Sequence, residues 1–257
     1  MTYRVGVDVS FWQGELSQAE LSEWRRAGAE WAIVGYQQPH TADKHVDAFS
    51  AAGIPVIGVY AFIYFGSSWG RTATLNAIAG AKRAGAERVW LDVEDTENPG
   101  LSPAERIAEL RGLVLMVEAA GLEVGIYTGS WYWPYQMGNT DAFSRLPLWY
   151  SNYSPPGRPI EQVNFGGWSD VAIHQFTSGP FASRDALDQN YLIDEQDLRE
   201  DMTADEVREI VRETMRVELV NAGLVGPGLP TFARFYEAML ARLEAAAEAF
   251  DPAEVPD

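Results

Sequence analysis

The sequence predicts an α/β protein, a modified TIM-like β/α barrel followed by a C-terminal helical appendage. The length of 257 residues fits one barrel-sized domain plus a small addition. From residue 4 to about residue 194, short β-branched or aromatic runs alternate with longer helical patterns, which is typical of a mainly parallel sheet. After Thr203 the pattern changes to that of amphipathic helices. We therefore expect a barrel domain over residues 1–198 and an appendage over residues 199–257.

Eight strand patterns can be identified in the first part of the chain, and eight strands suggest a closed barrel. The predicted strands are Arg4–Val9, Trp31–Tyr36, Pro55–Phe62, Arg88–Glu94, Glu123–Thr128, Leu148–Ser151, Val171–Phe176 and Asp188–Tyr191.

The first four strands are followed by helical patterns, each of which leads into a glycine that can supply a left-handed C-cap. The predicted helices are Ser17–Ala27, Ala42–Ala52, Arg71–Ala84 and Pro103–Ala120, and the glycines are Gly28, Gly53, Gly85 and Gly121. The fourth helix also has a defined start, with Ser102 as N-cap and Pro103 at the first helical position. After Thr128 the helical periodicity weakens, so we expect short or missing helices in the second half of the barrel.

The appendage has two helical patterns separated by a breaker segment at Gly223–Pro230. The first pattern carries one apolar stripe from Thr203 to about Asn221, and the second covers Phe232–Phe250. The stripe could dock on the barrel, pair with the second helix, or join copies of the chain. Self-association through the helices after Thr203 is therefore one open possibility.

The composition excludes several classes of partner. Thirty-seven acidic and nineteen basic residues give a net charge of −18, which repels nucleic-acid backbones and anionic lipid headgroups. No run of apolar residues is long enough to span a bilayer. The N-terminal residues have neither the basic nor the apolar region of a signal peptide, so we do not expect Sec-type export by a signal of the chain's own.

Metal and cofactor chemistry finds no support in the sequence. There are no cysteines, so disulfides, thiolate metal sites and a cysteine nucleophile are excluded. His40, His45 and His174 do not form a helical zinc-binding pair, and no glycine-rich nucleotide loop is present. We expect neither a metal ion nor a cofactor.

The most informative segment contains Asp92 and Glu94. Side chains alternate along a strand, so both carboxyls project to the same side, with Cα atoms about 6.6 Å apart. This distance fits glycosidase carboxyl pairs, which are about 5 to 9.5 Å apart, without separating retaining from inverting enzymes. Burial and repulsion would keep one carboxyl protonated near neutral pH while the other stays ionised. Alternatively, the two carboxylates cap the next helix or bind a lysine or arginine.

Two further acids stand at matching places. Asp8 ends the first predicted strand and Asp188 lies at the last, and these strands are neighbours in a closed barrel. All four acids would then converge at the C-terminal mouth, where barrel enzymes keep their active sites. Each of the two could instead have a local structural role in a turn.

Aromatic residues lie at or just beyond the ends of the predicted strands. There their flat faces can stack on sugar rings while their polar groups stay solvated. They are Trp12, Tyr36, Tyr60, Phe62, Tyr64, Tyr127, Trp131, Trp133, Trp149 and Tyr150. For any single one, simple filling of the barrel core is the alternative.

Six segments together resemble, in order and spacing, the glycoside hydrolase family 25 muramidases, over about residues 4 to 194. They are Asp8–Gly14, Gly58–Phe62, Trp90–Glu94, Gly125–Thr128, Leu148–Tyr150 and Asp188–Asn190. The resemblance implies a modified β/α barrel that hydrolyses the β-1,4 bond between N-acetylmuramic acid and N-acetylglucosamine in peptidoglycan. It also implies that Glu94 is the general acid and that Asp8, Asp92 and Asp188 are its acidic companions.

The candidate substrate-binding residues are Tyr60, Tyr127, Trp149, Trp12, Phe62 and Tyr36. The resemblance supports the first three most directly. The sequence departs from the family pattern at three places. They are Ala61, where histidine is usual, Gln37–His40, and His174, where tryptophan is common. These departures concern contacts with the substrate more than catalysis.

Several alternatives remain open at this stage. Asp92 or the substrate's own 2-acetamido group could be the nucleophile. The protein could be a non-catalytic glycan-binding or structural barrel module of a virion or cell envelope, or a chitin-cleaving enzyme. Because no signal peptide is expected, the resemblance favours a phage lysin that acts from the host cytoplasm on the cell wall, or a virion-associated enzyme.

Overall fold

The computed structural model describes residues 3–95 and 100–193, which contain a closed eight-stranded barrel whose strand order follows the chain. The strands are β1 (Arg4–Val9), β2 (Ala29–Gly35), β3 (Val56–Phe62), β4 (Arg88–Asp92), β5 (Glu123–Thr128), β6 (Leu148–Ser151), β7 (Ile173–Thr177) and β8 (Asp188–Leu192). The predicted α/β barrel is confirmed. The predicted boundary after residue 198 and the predicted appendage helices lie outside the described residues.

The last strand runs against the direction of the other seven. Strands β1 to β7 pair in parallel, whereas β8 is antiparallel to both β7 and β1. The start of β8 therefore lies at the same end of the barrel as the carboxyl ends of the parallel strands.

Four helices cover the first half of the barrel. They are α1 (Gln18–Ala27), α2 (Pro39–Ala52), α3 (Ser68–Ala84) and α4 (Pro103–Ala119). Helices α2 and α3 begin three residues earlier than predicted, α3 because the Ser67 side chain accepts a hydrogen bond from the Trp69 N–H. Helix α4 has a complete capping box between Ser102 and Glu105.

The second half of the barrel has little helix, as predicted. A single short helix, α5 (Trp133–Gln136), follows β5. Within the described part of the chain no helix connects β6 to β7 or β7 to β8. None of the described helices is both long enough and apolar enough to cross a bilayer.

Side-chain alternation divides the strands into an outer and an inner face. Outward residues such as Val34, Val59 and Leu91 pack against the helices in the larger apolar core. Inward residues form a separate cluster in the barrel interior, built around Trp31, Trp90 and Trp149 and completed by Ile33, Tyr60, Tyr127, Ala172, Ile173 and Leu192.

Glycines on the inner face make room for these large rings. A Cβ atom at Gly6 would overlap the Trp31 ring, and one at Gly125 would overlap the Trp90 ring. A close-packed interior leaves no space into which an indole could move. The pattern of small and large inward residues therefore determines how the barrel interior is filled.

The glycine requirement predicts a large difference between two Gly→Ala variants. Gly125→Ala should lower the free energy of unfolding by about 1–3 kcal/mol, because the new methyl group collides with Trp90. Gly112→Ala is the matched control, since Gly112 lies inside α4 with no atom within 4 Å of a built Cβ. It should be neutral or stabilising by up to about 1 kcal/mol. Urea denaturation followed by circular dichroism measures both, and equal stability of the two variants would contradict this packing.

Candidate active site

A cavity of about 710 Å³ opens at the end of the barrel where the parallel strands terminate. It has the size of a small-molecule site. Four carboxylic acids share its wall with aromatic and amide side chains. The lining residues are Asp8, Tyr60, Asp92, Glu94, Tyr127, Ser130, Trp131, Trp149, Ser151, Asn152, Tyr153, Gln175 and Asp188.

The strands bring the four predicted acids together at this one mouth. Asp92 is the last residue of β4, and Glu94 follows two positions later on the same side. Asp8 in β1 pairs in register with Asp188, the first residue of β8. Because β8 is antiparallel, its first residue reaches the mouth at which β1 ends.

Asp8 is buried and held by two amide groups. Its Oδ2 atom accepts hydrogen bonds from Asn190 Nδ2 at 2.8 Å and from Gln175 Nε2 at 3.1 Å. Burial raises the pKa of Asp8 to about 6, and these two hydrogen bonds oppose the rise by stabilising the charged form.

Asp92 is buried without comparable support. Its Oδ1 atom has no hydrogen-bond partner among the described residues. Burial holds the pKa of Asp92 well above its usual value, and the charges of Glu94, Asp8 and Asp188 raise it further. Asp92 therefore strongly favours its protonated form.

Glu94 and Asp188 are half-buried on the cavity wall. Burial, followed by the charge of Asp8, raises the pKa of Glu94 to about 7. Burial also raises the pKa of Asp188 to about 8, with further contributions from Asp8 and Glu94. The cavity thus contains carboxyls that can donate a proton near neutral pH beside a carboxyl that is stabilised as an anion.

Two structural alternatives for Asp92 and Glu94, a helix cap and an ion pair with lysine or arginine, find no support. Helix α4 is capped by Ser102 rather than by Asp92 or Glu94. No described lysine or arginine forms an ion pair with any of the four acids. In the described ranges, no cluster of histidine, aspartate and glutamate is arranged to hold a metal ion.

Three of the six candidate substrate-binding residues line the cavity. The ring of Trp149 lies between those of Tyr60 and Tyr127, at centroid distances of 6.1 Å and 4.7 Å. Each pair is close to perpendicular, a favourable arrangement for aromatic rings. Trp90 supports Trp149 from within the barrel at 5.7 Å.

The other three candidates lie outside this lining. Tyr36 faces outward against the helices and donates a hydrogen bond to Asp43, because it shares the outer face with Val34. We therefore do not retain Tyr36 as a candidate. Trp12 is 81% exposed and contacts Phe11, and Phe62 packs against Tyr64 at 4.6 Å, so neither belongs to the cavity wall.

Trp131, one of the aromatic residues expected at the strand ends, also lines the cavity. Five further lining residues were not singled out from the sequence, namely Ser130, Ser151, Asn152, Tyr153 and Gln175. Alternation carried a signal for two of them, since Ser151 shares a face with Trp149 and Gln175 shares a face with Ile173. The others lie in loops, where no periodicity marks them.

The fold and site define a barrel with a carboxyl-lined cleft of the glycosidase type. Comparisons with known proteins agree with this class. The family model described as lysozyme-like protein 1 matches residues 2–176. Probable GH family 25 lysozyme 4 of Dictyostelium discoideum is 31% identical over 181 residues, which cover 68% of this chain and 83% of that protein.

Solved structures show the same fold. A family 25 glycosyl hydrolase from Bacillus anthracis superposes with a TM-score of 0.57 at 19% identity, covering 76% of this chain and 91% of that one. The Clostridium perfringens spore cortex lytic enzyme SleM gives a TM-score of 0.58 at 18% identity, covering 74% and 67%.

The chain belongs to the lysozyme-like proteins of glycoside hydrolase family 25, and it is a glycoside hydrolase. Membership in this family supports a muramidase role on peptidoglycan.

The raised pKa values of the cavity carboxyls predict that their contribution to stability falls as pH rises. Asp8, Glu94 and Asp188 bind more protons in the folded chain than in the unfolded chain between about pH 4 and pH 8, so their contribution to the free energy of unfolding decreases across this range. Asp188→Asn should weaken this dependence and unfold at a higher temperature than the wild type at pH 8. Asp185→Asn, at an exposed acid nearby, is the control and should keep the wild-type slope. Thermal denaturation of the three proteins from pH 4.5 to 8.5 measures how the unfolding temperature changes with pH. Identical slopes of unfolding temperature against pH for all three would refute the prediction.

Proposed function

We propose that this glycoside hydrolase cleaves the β-1,4 bond between N-acetylmuramic acid and N-acetylglucosamine in peptidoglycan, with Glu94 as the general acid. The observation that carries the proposal is the position of Glu94 in a cavity with three other carboxyls, where its pKa is raised to about 7. A carboxylic acid of that pKa is well matched to protonating a leaving group near neutral pH. Sequence similarity to family 25 lysozymes supports the choice of glycan.

In the proposed first step, Glu94 transfers its proton to the glycosidic oxygen as that bond breaks. Positive charge develops on the sugar ring, and Asp8 is the carboxylate best placed to remain ionised and stabilise it, because two amides donate to it. The sugar that leaves carries the transferred proton on its new hydroxyl group. Glu94, now ionised, can accept a proton from the incoming water.

We favour the substrate's 2-acetamido oxygen over Asp92 as the internal nucleophile. Asp92 is buried and favours its protonated form, which makes it a poor nucleophile. Its unpartnered Oδ1 atom is instead available to accept the acetamido N–H and so orient that group. Tyr60 and Tyr127 are positioned on the cavity wall to contact a bound sugar, and the buried Trp149 ring packs against both of them.

The biological setting of this reaction stays a prediction. A phage lysin or virion-associated enzyme was expected from the family resemblance, and the relatives described above come from Dictyostelium discoideum, Bacillus anthracis and Clostridium perfringens. Self-association through the residues after Thr203 also stays a prediction, since those residues lie outside the described part of the chain.

Glu94→Gln tests the role of the general acid. The variant should hydrolyse peptidoglycan at least about 100-fold more slowly, because an amide cannot supply the proton. Its binding to intact glycan strands should persist, since shape and hydrogen-bonding capacity are nearly unchanged. Release of reducing ends measures turnover, and sedimentation with insoluble peptidoglycan measures binding.

Glu87→Gln is the matched control for that experiment. Glu87 is exposed and immediately precedes β4, at the end of the strand opposite Glu94. The control should retain wild-type turnover. Near-normal lysis by Glu94→Gln would refute the assignment, and a wild-type protein that binds glycan without cleaving it would favour the non-catalytic alternative.

The bond and the substrate are tested by analysing the new chain ends. Mass spectrometry of a peptidoglycan digest should find N-acetylmuramic acid, not N-acetylglucosamine, at the new reducing ends. Purified chitin should release no reducing ends under the same conditions. N-acetylglucosamine at the new reducing ends, or comparable cleavage of chitin, would contradict the proposed specificity.

A further inference from the structure

The Asp8 carboxylate is held by a chain of contacts that reaches the aromatic wall of the cavity on two sides. One branch runs from Trp149 through Asn190 to Asp8, and the other runs from Tyr127 through Gln175 to Asp8. All five side chains are buried, so their hydrogen bonds are shielded from water.

The Trp149 branch has a fixed direction. Trp149 Nε1 donates to Asn190 Oδ1 at 2.8 Å. An indole N–H can only donate, so the Asn190 amide must turn its oxygen toward Trp149 and its NH₂ group toward Asp8. Asn190 Nδ2 then donates to Asp8 Oδ2 at 2.8 Å. The hydrogen bond from Trp149 therefore determines that Asn190 presents its NH₂ group, and not its oxygen, to Asp8.

The Tyr127 branch is arranged in the same sense. The Tyr127 hydroxyl donates to Gln175 Oε1 at 2.9 Å, and Ser151 Oγ lies 3.2 Å from the same oxygen. Because the Gln175 oxygen accepts these hydrogen bonds, its Nε2 group points the other way and donates to Asp8 Oδ2 at 3.1 Å. Two N–H groups therefore point at a single carboxylate oxygen, and hydrogen bonds of this kind stabilise the ionised form of Asp8.

We propose that Gln175 and Asn190 are positioning residues that keep Asp8 as the ionised member of the carboxyl cluster, and that Trp149 and Tyr127 set the orientation of these two amides. The proposal rests on the proposed function of the same cavity. It assigns a specific role to two amides, Gln175 on the cavity wall and Asn190 behind it, whose hydrogen bonds go to Asp8 and not to the general acid.

The charge kept on Asp8 acts on the groups that face it. These are Asp188 from β8, Asp92 and Glu94 at the end of β4, and the hydroxyls of Tyr60, Tyr127 and Tyr153. An anion at Asp8 disfavours a second anion at Glu94, so Glu94 keeps its proton to higher pH. If the amides were removed, Asp8 would take up a proton more readily and Glu94 would lose its own more readily.

The pH dependence of hydrolysis tests this role. Asn190→Leu and Gln175→Met remove the amide donors and keep a similar side-chain volume. In each variant, the acidic limb of the profile of kcat/KM against pH, which reports Asp8, should shift to higher pH by about 1 unit. The basic limb, which reports Glu94, should shift to lower pH by about 1 unit. The profile becomes narrower. A residue with a merely structural role would lower the rate at all pH values without moving either limb.

Gln189→Met is the matched control. Gln189 is the neighbour of Asn190 on β8, and its amide donates to the backbone oxygens of Gly179, Pro180 and Leu187 instead of to Asp8. Both limbs of its profile should match the wild type. Trp149→Phe keeps one aromatic ring and removes the indole donor, so it should narrow the profile in the same direction. Unmoved limbs in Asn190→Leu, Gln175→Met and Trp149→Phe would overturn the proposal.

A second measurement is independent of turnover. The ¹³C NMR signal of the Asp8 carboxyl, assigned with Asp8→Asn, reports its protonation in the full chain. Its titration midpoint should be about 1 pH unit higher in Asn190→Leu than in the wild type. An equal midpoint would overturn the positioning role even in an active enzyme. If the wild type failed to cleave peptidoglycan but the midpoint moved as expected, only the proposed function would fall.

Discussion

The site depends on one unfavourable pairing, that of Asp8 with Asp188 across the antiparallel strands β1 and β8. Like charges directly opposite each other destabilise a sheet. The barrel can hold them because it is closed, so neither strand can move away without breaking pairs on its other side. Closure of the sheet also buries both carboxyls, and this burial is the main cause of their raised pKa values, with the charge of Asp8 raising the pKa of Asp188 further. The acid chemistry of the mouth is thus a consequence of how the sheet closes.

The barrel interior beneath the four carboxyls supports that chemistry because it is filled by apolar side chains. Trp31, Trp90 and Trp149 fill the interior beneath the carboxyls, and glycines on facing strands let the rings fit. This apolar layer lies against the polar layer of carboxyls and shields them from solvent on that side, and such burial raises their pKa values. Trp149 belongs to both layers, since its ring packs below and its N–H reaches the amide of Asn190. Packing and electrostatics therefore meet in one side chain.

Much of this could be predicted from the sequence. Strand periodicity predicted eight strands in a closed barrel, and alternation placed Asp92 and Glu94 on one face. Tyr36 lies away from the cavity because side-chain alternation places it on the outer face with Val34. The direction of β8 and the amide contacts of Gln175 and Asn190 could not be predicted, since they depend on which strands become neighbours in space. Loop residues of the cavity wall carry no periodic signal at all.

The most direct test of the account is the protonation state of Glu94 itself. A ¹³C NMR titration of the Glu94 carboxyl in the wild-type chain, assigned with Glu94→Gln, reports the proton on the proposed acid without any substrate. The account predicts a midpoint of about 7. A midpoint near the ordinary glutamate value of about 4.3 would contradict it, because Glu94 would then have no proton to give at neutral pH.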